Sequence, residues 1–293
     1  MTSFTGEVRI VGAGLLGTSI GLALTKQGID VAISSKSNKS VELAVSYGAG
    51  RAAHQDDSPR LIVVCVPPQL TAQIVSEELI AFPDAIVTDV ASVKVGILEE
   101  LERLAAPIER YVGSHPMAGR ERGGAIAGRA DLFVGRPWVI TPNSKSAAAG
   151  IKLVADLATA LESSVVTVSP KDHDRAVALV SHVPQLVSSL LAARLVDAKK
   201  DDVALAGQGL RDTTRIAASD PELWVQILEA NSAEVLKVLE ALATDLVNVI
   251  GALQNVHAEH GMTQLRHALE AGNIGVEKIP GKHGSKHSTY AQI

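Results

Sequence analysis

Val8-Arg9-Ile10-Val11-Gly12-Ala13-Gly14-Leu15-Leu16-Gly17 is the stretch that decides the fold. The apolar run Val8 to Val11 reads as a buried strand. It breaks into Gly12-x-Gly14-x-x-Gly17, after which Leu16, Ile20, Ala23 and Leu24 recur at helical spacing. In a strand–turn–helix setting each glycine has a mechanical task. Gly12 turns the chain sharply, Gly14 removes a Cβ so that backbone can approach a pyrophosphate, and Gly17 lets the helix lie close to the sheet. The helix start at Leu15 and Leu16 then offers unpaired N–H groups and a positive dipole end to phosphate. Gly12, Gly14, Leu15, Leu16 and Gly17 are therefore expected to contact a dinucleotide cofactor.

Working outward, Asp30 to Ile33 reads as a second strand. A fold that binds NAD normally ends this strand in Asp or Glu, which holds the ribose 2′-hydroxyl. Here Ser34-Ser35-Lys36-Ser37-Asn38-Lys39 follows, with no carboxylate. Either this is an ordinary polar loop, or Ser34, Ser35 and Lys36 hold a 2′-phosphate; the second reading is favoured, giving NADP over NAD, with NAD use still open. Leu61 to Val66 is a further buried strand, ended by Pro67-Pro68, which cannot continue a ladder. That turn falls where open α/β sheets bind ligands, so Val66 and Pro67 are expected to line the cofactor crevice. Ala85 to Val90 follows, then Ser92, expected to cap a helix carrying Ile97, Leu98, Leu101 and Leu104. Tyr111-Val112 leads into Gly113-Ser114-His115-Pro116-Met117-Ala118-Gly119, and Pro137–Ile140, Ser144–Ala160 and Val165–Val168 give a strand–helix–strand finish. Strands alternating with helices mean a doubly wound, mostly parallel Rossmann-type sheet over residues 1–168.

The pattern changes at Ser169-Pro170-Lys171-Asp172, a strong helix start with a hydroxyl, a proline and an acid in order. No convincing strand appears afterwards, so residues 169–293 are expected to form an all-helical substrate and dimerisation domain. Ser219-Asp220-Pro221-Glu222 opens a second helix in which Leu228, Ser232, Val235, Leu239, Leu242, Leu246, Val249 and Leu253 alternate at four and three. So long a stripe packs on an internal hairpin partner or on a second copy; a homodimer is favoured. The tail from Ile279 to His287, basic and turn-rich, is expected to be frayed.

Composition excludes several classes. Of 293 residues 46% are hydrophobic and 20% charged, which suits a globular core built with few aromatics. A net charge of −5 argues against a nucleic-acid surface. The single cysteine, Cys65, permits no internal disulfide and fits a reducing compartment. The start of the chain lacks a basic signal region, and no membrane span is expected from the apolar runs; a cytoplasmic location follows. No Cys/His spacing suggests a metal.

A nicotinamide enzyme needs a proton acceptor and, for an anionic substrate, cations. His115, at a strand end in a turn that exposes it to the ligand edge, is either a surface histidine or that acceptor. His182, in Ser181-His182-Val183-Pro184-Gln185, lies on an apolar helix face and is either a satisfied core histidine or part of the pocket. Arg211 and Arg215, in Arg211-Asp212-Thr213-Thr214-Arg215, suggest a carboxylate clamp or a surface salt-bridge loop.

Taken in order, Gly12-x-Gly14-x-x-Gly17, Asp89-Val90-Ala91-Ser92-Val93-Lys94, His115-Pro116-Met117-Ala118-Gly119 with Glu121, Ser181-His182-Val183-Pro184, and Arg211-Asp212-Thr213-Thr214-Arg215-Ile216-Ala217 resemble the prephenate/arogenate dehydrogenase family of tyrosine biosynthesis over nearly the whole chain. The resemblance implies oxidative decarboxylation of prephenate to 4-hydroxyphenylpyruvate, or of arogenate to tyrosine. It implies that His115 takes the proton of the ring hydroxyl and that Ser92 helps hold that hydroxyl. It further implies that Arg215 binds a substrate carboxylate, with Arg211 as a second cation, that His182 lines the pocket, and that Glu121 gates it. Gln185 stands where some members carry a second histidine, and it bears on prephenate against arogenate. A hydroxyacid-type dehydrogenase with a lysine base, or a non-catalytic nucleotide sensor, are the rival readings.

Overall fold

The computed structural model describes residues 4–119 and 123–280. The chain divides into two compact units, residues 1–232 and 233–293. The first holds β1 (Val8–Val11), α1 (Leu15–Thr25), β2 (Val31–Ser34), α2 (Asn38–Ser46), β3 (Arg51–Ala52), β4 (Leu61–Val64), α3 (Pro68–Ala81), β5 (Ile86–Asp89), α4 (Val95–Arg103), β6 (Tyr111–Pro116), β7 (Pro137–Thr141), α5 (Ala148–Ala160) and β8 (Ser164–Thr167). It continues with α6 (Pro170–Val177), α7 (Val183–Ala193), α8 (Lys200–Ala204), α9 (Gln208–Thr214) and α10 (Pro221–Ala230).

The strand order is β3-β2-β1-β4-β5-β6-β7-β8, parallel except where β7 runs against β6. Chain direction across the sheet reverses between β1 and β4, which opens a crevice at their C-terminal ends. Every side chain of β4 is buried, as a strand covered on both faces requires. On one face Ile10, Val63 and Ile140 pack with Ile20 and Leu24 of α1 and Leu153 and Leu157 of α5. On the other, Ile62, Val64 and Val87 pack with Val75 and Leu79 of α3 and Ile97 and Leu101 of α4. The doubly wound layering is thus written in two sets of apolar side chains.

No strand follows Thr167 among the described residues. The first compact unit nonetheless runs on to Ser232, because α6 packs on α4 and β7 and α10 packs on α3. Ser169 caps α6 by accepting from the backbone N–H of Asp172, as its sequence indicates. The backbone then makes a π turn over Ala178–His182 before α7, so residues 170–193 form one helical rod. Pro184 has no N–H and its ring crowds the preceding turn, and a widened turn there relieves both demands. By length and hydropathy this rod could cross a membrane. Its His173, Asp174, His182, Gln185 and Ser188 are buried in the unit, so packing accounts for its apolar character.

Two helix starts differ from expectation. Ser92 does not cap α4, which begins at Val95; the groups at its start are taken by a carboxylate from elsewhere in the chain, described below. Asp220, not Ser219, caps α10, accepting from the N–H of Glu222, while the Ser219 hydroxyl donates to the carbonyl of Ile216. The long helix expected from Ser219 onward is also broken, at Asn231. The second unit holds most of α11 (Ser232–Gln254) and α12 (Glu259–Glu277). Leu236, Leu242, Leu246, Ile250 and Leu253 of α11 are exposed in the single chain. The basic tail from 281 on lies outside the described residues.

Candidate active site

The glycine turn fits a pyrophosphate. Gly12 has φ of +117°, and a Cβ there would stand 2.3 Å from the carbonyl oxygen of Cys65, in the turn after β4. A Cβ on Gly17 would stand 2.0 Å from the carbonyl oxygen of Gly12. Gly14 differs: a Cβ there meets nothing within 4 Å, so the space above it is open to a ligand. Gly14 is also the N-cap of α1, no side chain caps the helix, and its first turn carries no acid. Leu15 and Leu16 are half-buried at this start, and Val66 and Pro67 are accessible at the end of β4. Burial pushes the Cys65 thiol well above its ordinary range, so it is an inert neighbour of the turn.

At the end of β2, Ser34 and Ser35 are half-buried and Lys36 is exposed. The Ser34 hydroxyl is a buried group without a hydrogen-bond partner among the described residues. Ser37 is committed to capping α2, accepting from the N–H of Ser40. Asp30 is committed to Arg51 at 3.1 Å and cannot serve at the strand end.

His115 lies on β6 past the point where β6 leaves β5, paired with Val139 of β7. A buried ionic lattice holds the backbone around it. Asp89, fully buried at the end of β5, accepts from the ammonium of Lys94, from the N–H of Ala91 at 2.8 Å and from the hydroxyl of Tyr111 at 2.7 Å. Lys94 also donates to the carbonyl of Ser114, the residue before His115, at 2.8 Å. The Ser114 hydroxyl donates to the carbonyl of Asp89 at 2.8 Å. Half-buried Ser92 sits in the loop so held. Burial pushes the Lys94 ammonium down, opposed by the Asp89 charge.

His115 Nδ1 stands 2.9 Å from Nε2 of His173, with the two rings edge-on at 70°. His173 Nδ1 stands 2.7 Å from Oδ1 of Asp174. Asp174 in turn accepts the backbone N–H of Lys94 at 2.9 Å and of Val95 at 2.8 Å, which makes it the cap of α4. Asn231, at the break between α10 and α11, donates from Nδ2 to the carbonyl of Asp174 at 2.8 Å and lies 3.1 Å from Nδ1 of His182. With the amide donating, His182 carries its proton on Nε2, a buried atom without a partner among the described residues. Trp224 of α10 stands edge-on to the His182 ring.

Burial holds His115 well below the usual histidine range, helped by His173, Lys94 and His182, and burial likewise lowers His173. His182 is lowered to about 4, again by burial. All three imidazoles are therefore neutral at pH 7. For His182 the folded value lies below the ordinary 6.5, so the unfolded chain binds the extra proton first. Stability is fully present above pH 6.5 and is lost as pH falls towards 4, by about 3 kcal/mol in all from this group. Urea unfolding across that window should show the loss, and His182→Gln should make it shallower by this group's share, leaving that of His115 and His173; an equal slope in the variant would contradict the assignment.

Sequence reasoning singled out His115, Ser92 and His182, and the fold gathers His115 and His182 around His173 and Asp174. Gln185 is buried on α7, its amide 3.4 Å from the Ser189 hydroxyl. Arg215 opens the exposed turn Arg215–Ala218, which packs on α7. Arg211 is exposed on α9 and donates to the carbonyl of Ala206. Glu121 lies outside the described residues. His173, Asp174 and Asn231 were missed. Their signal was an acid within a buried helical stripe, at Asp174, Val177 and Ala178, since a buried carboxylate needs partners. A cavity of about 610 Å3 lined by Ala23, Gln27, Arg129 and Leu161 sits at the other end of α1 and carries none of this chemistry. Among the described residues no group of three His, Cys, Asp or Glu is placed to hold a metal.

An uncapped glycine turn at the sheet's reversal point, with a neutral imidazole at the end of another strand of the same sheet, points to a dehydrogenase that uses a nicotinamide dinucleotide. Residues 20–167 match the prephenate dehydrogenase nucleotide-binding domain and residues 169–270 the prephenate dehydrogenase dimerization domain. The chain belongs to the prephenate dehydrogenase family. It is 35% identical to the probable prephenate dehydrogenase NovF of Streptomyces niveus, over 94% of this chain and 78% of that protein. The crystal structure of prephenate dehydrogenase from Aquifex aeolicus, in complex with hydroxyphenyl propionate and NAD+, superposes with a TM-score of 0.81 at 28% identity, covering 94% of this chain and 99% of that one. Synechocystis arogenate dehydrogenase gives 0.74 at 29% identity, covering 92% and 99%.

Proposed function

We propose that this chain oxidatively decarboxylates prephenate to 4-hydroxyphenylpyruvate, with NADP preferred over NAD. The observation that carries the reading is the neutral imidazole of His115, at the ligand edge of the sheet, with Nδ1 engaged by His173 and Nε2 left to a substrate. A bound nicotinamide would supply the hydride acceptor for ring C4. Gly12, Gly14, Gly17 and the N–H groups of Leu15 and Leu16 would hold its pyrophosphate, with Val66 and Pro67 as the crevice wall. His115 Nε2 accepts the proton of the ring hydroxyl as that carbon is oxidised, with Ser92 holding the same hydroxyl. The ring carboxylate leaves as CO2, driven by aromatisation, and the proton returns to the phenol oxygen. The Nε2–H of His182 is a buried donor awaiting a substrate oxygen. Arg215 answers a carboxylate of the dianionic substrate, Arg211 supports it, and Glu121 gates the pocket.

The second reading is arogenate as substrate: the amide of buried Gln185 can accept from its ammonium as well as donate to the keto group of prephenate, so it serves either. Comparing kcat/KM for the two substrates decides between them; turnover of arogenate alone overturns the prephenate reading.

For the cofactor, the end of β2 carries two hydroxyls and an ammonium and no carboxylate. A lysine–phosphate contact is worth about 1.5–3 kcal/mol, or roughly 10- to 100-fold. Lys36→Ala should therefore lower kcat/KM for NADP by about tenfold or more and leave NAD untouched. A wild-type preference for NAD would overturn this. The exposed apolar side chains of α11 support a homodimer through the helical region, which light scattering would read as twice the chain mass. A cytoplasmic site of action fits a single cysteine kept as a thiol.

A further inference from the structure

We infer that His173 and Asp174 are positioning residues that fix the tautomer of His115, so that its Nε2 presents a lone pair to the cleft. The far end of the chain of contacts sets the direction. Asp174 receives two backbone N–H groups at the start of α4, one on each oxygen, and backbone nitrogen only donates. Its side chain is held there as an acceptor, beside the positive end of the helix dipole. Oδ1 is also 2.7 Å from His173 Nδ1, which must then carry the proton. A neutral His173 with its proton on Nδ1 has a lone pair on Nε2. That lone pair lies 2.9 Å from His115 Nδ1, so His115 carries its proton on Nδ1. The remaining nitrogen, Nε2, is left basic.

The opposite tautomer would place an N–H at Nε2 and a lone pair at Nδ1, facing the His173 lone pair at hydrogen-bond distance. That arrangement has no proton between the two rings and forfeits the bond. The relay is itself anchored: Asn231 holds the carbonyl of Asp174, and Asp174 is buried with His173. Charge matters as well. When His115 takes a proton, the carboxylate of Asp174 faces the resulting cation through the neutral His173 ring, without a carboxylate touching His115 and raising its resting basicity. Nothing else among the described residues ties the choice of His115 nitrogen to a fixed charge.

The functional consequence rests on His115 being the proton acceptor; the tautomer does not. The test therefore has two readouts. In protein labelled with 15N-histidine, long-range 1H–15N correlation, with His115→Asn to identify the ring, should show His115 protonated on Nδ1 and unprotonated on Nε2. Asp174→Asn leaves one carbonyl where three N–H groups converge on two oxygens, so His173 should no longer be held in one tautomer and both patterns should appear at both rings. The same variant should lower kcat for prephenate by about tenfold or more with KM within a few-fold, as expected of a base that spends much of its time in the wrong tautomer. His173→Gln, whose carbonyl can accept from His115 Nδ1, should recover most of the activity that His173→Leu loses. This pair keeps the test open if Asp174→Asn does not fold. Wild-type His115 protonated on Nε2, or equal kcat for His173→Gln and His173→Leu, would overturn the inference. A correct tautomer in an enzyme that leaves prephenate untouched would overturn the proposed function and leave the inference standing.

Discussion

His115→Asn is expected to lower kcat for prephenate oxidation by about 10²–10⁴-fold while KM stays within a few-fold. Asparagine is the informative replacement because its amide can still donate to His173, as His115 Nδ1 does at 2.9 Å. The packing of that corner survives, and only the nitrogen that would take the proton is removed. On the proposed reading, substrate affinity rests on Arg215 and Arg211, so it should change little. Steady-state rates with saturating prephenate check this. Near-normal turnover would mean that the proton goes to another group and that His115 is a structural histidine.

Lys94→Met is expected to cost about 3–5 kcal/mol of folding stability, the range for removing one member of a buried ion pair. Asp89 is wholly buried and, among the described residues, would keep only the Ala91 N–H and the Tyr111 hydroxyl. Two neutral donors do not replace a desolvated ammonium. The double variant Lys94→Met/Asp89→Leu should recover part of the loss, because no charge is left stranded while the Ala91 N–H, the Tyr111 hydroxyl and the Ser114 carbonyl each lose a partner. Urea unfolding at pH 7 measures both. A single-variant loss below about 1 kcal/mol would show that the pair is not the anchor of the β5–α4 corner. That corner carries Ser92 and the backbone next to His115, so activity should fall with stability.

Much of this was legible in the sequence, for identifiable reasons. The glycine turn is local: strand, three glycines and helix lie within ten residues, and the close approach of Gly17 to the Gly12 carbonyl follows from that spacing, whereas Gly12 meets the carbonyl of Cys65 from a distant strand. The alternation of strands with helices to Thr167 is also local patterning, as is the Ser169 cap. What escaped is long-range. Ser92 looks like a cap because a hydroxyl precedes a helical pattern, but the α4 N–H groups are claimed by Asp174, distant in sequence. Asn231 sits in the middle of a heptad pattern, and nothing in that pattern says the helix must stop to release an amide for His182. Asp172 drew attention as a first-turn acid, while its neighbours His173 and Asp174 formed the relay to His115. A propensity reading credits Asp172 and sees nothing in the other two until the fold buries them.

The most direct measurement is stoichiometry: NADPH absorbance followed together with CO2 released and 4-hydroxyphenylpyruvate formed from a known amount of prephenate. One of each per prephenate is expected from the wild-type chain, with the rate lost in His115→Asn. No nicotinamide reduction with prephenate, with either cofactor, would contradict the central claim.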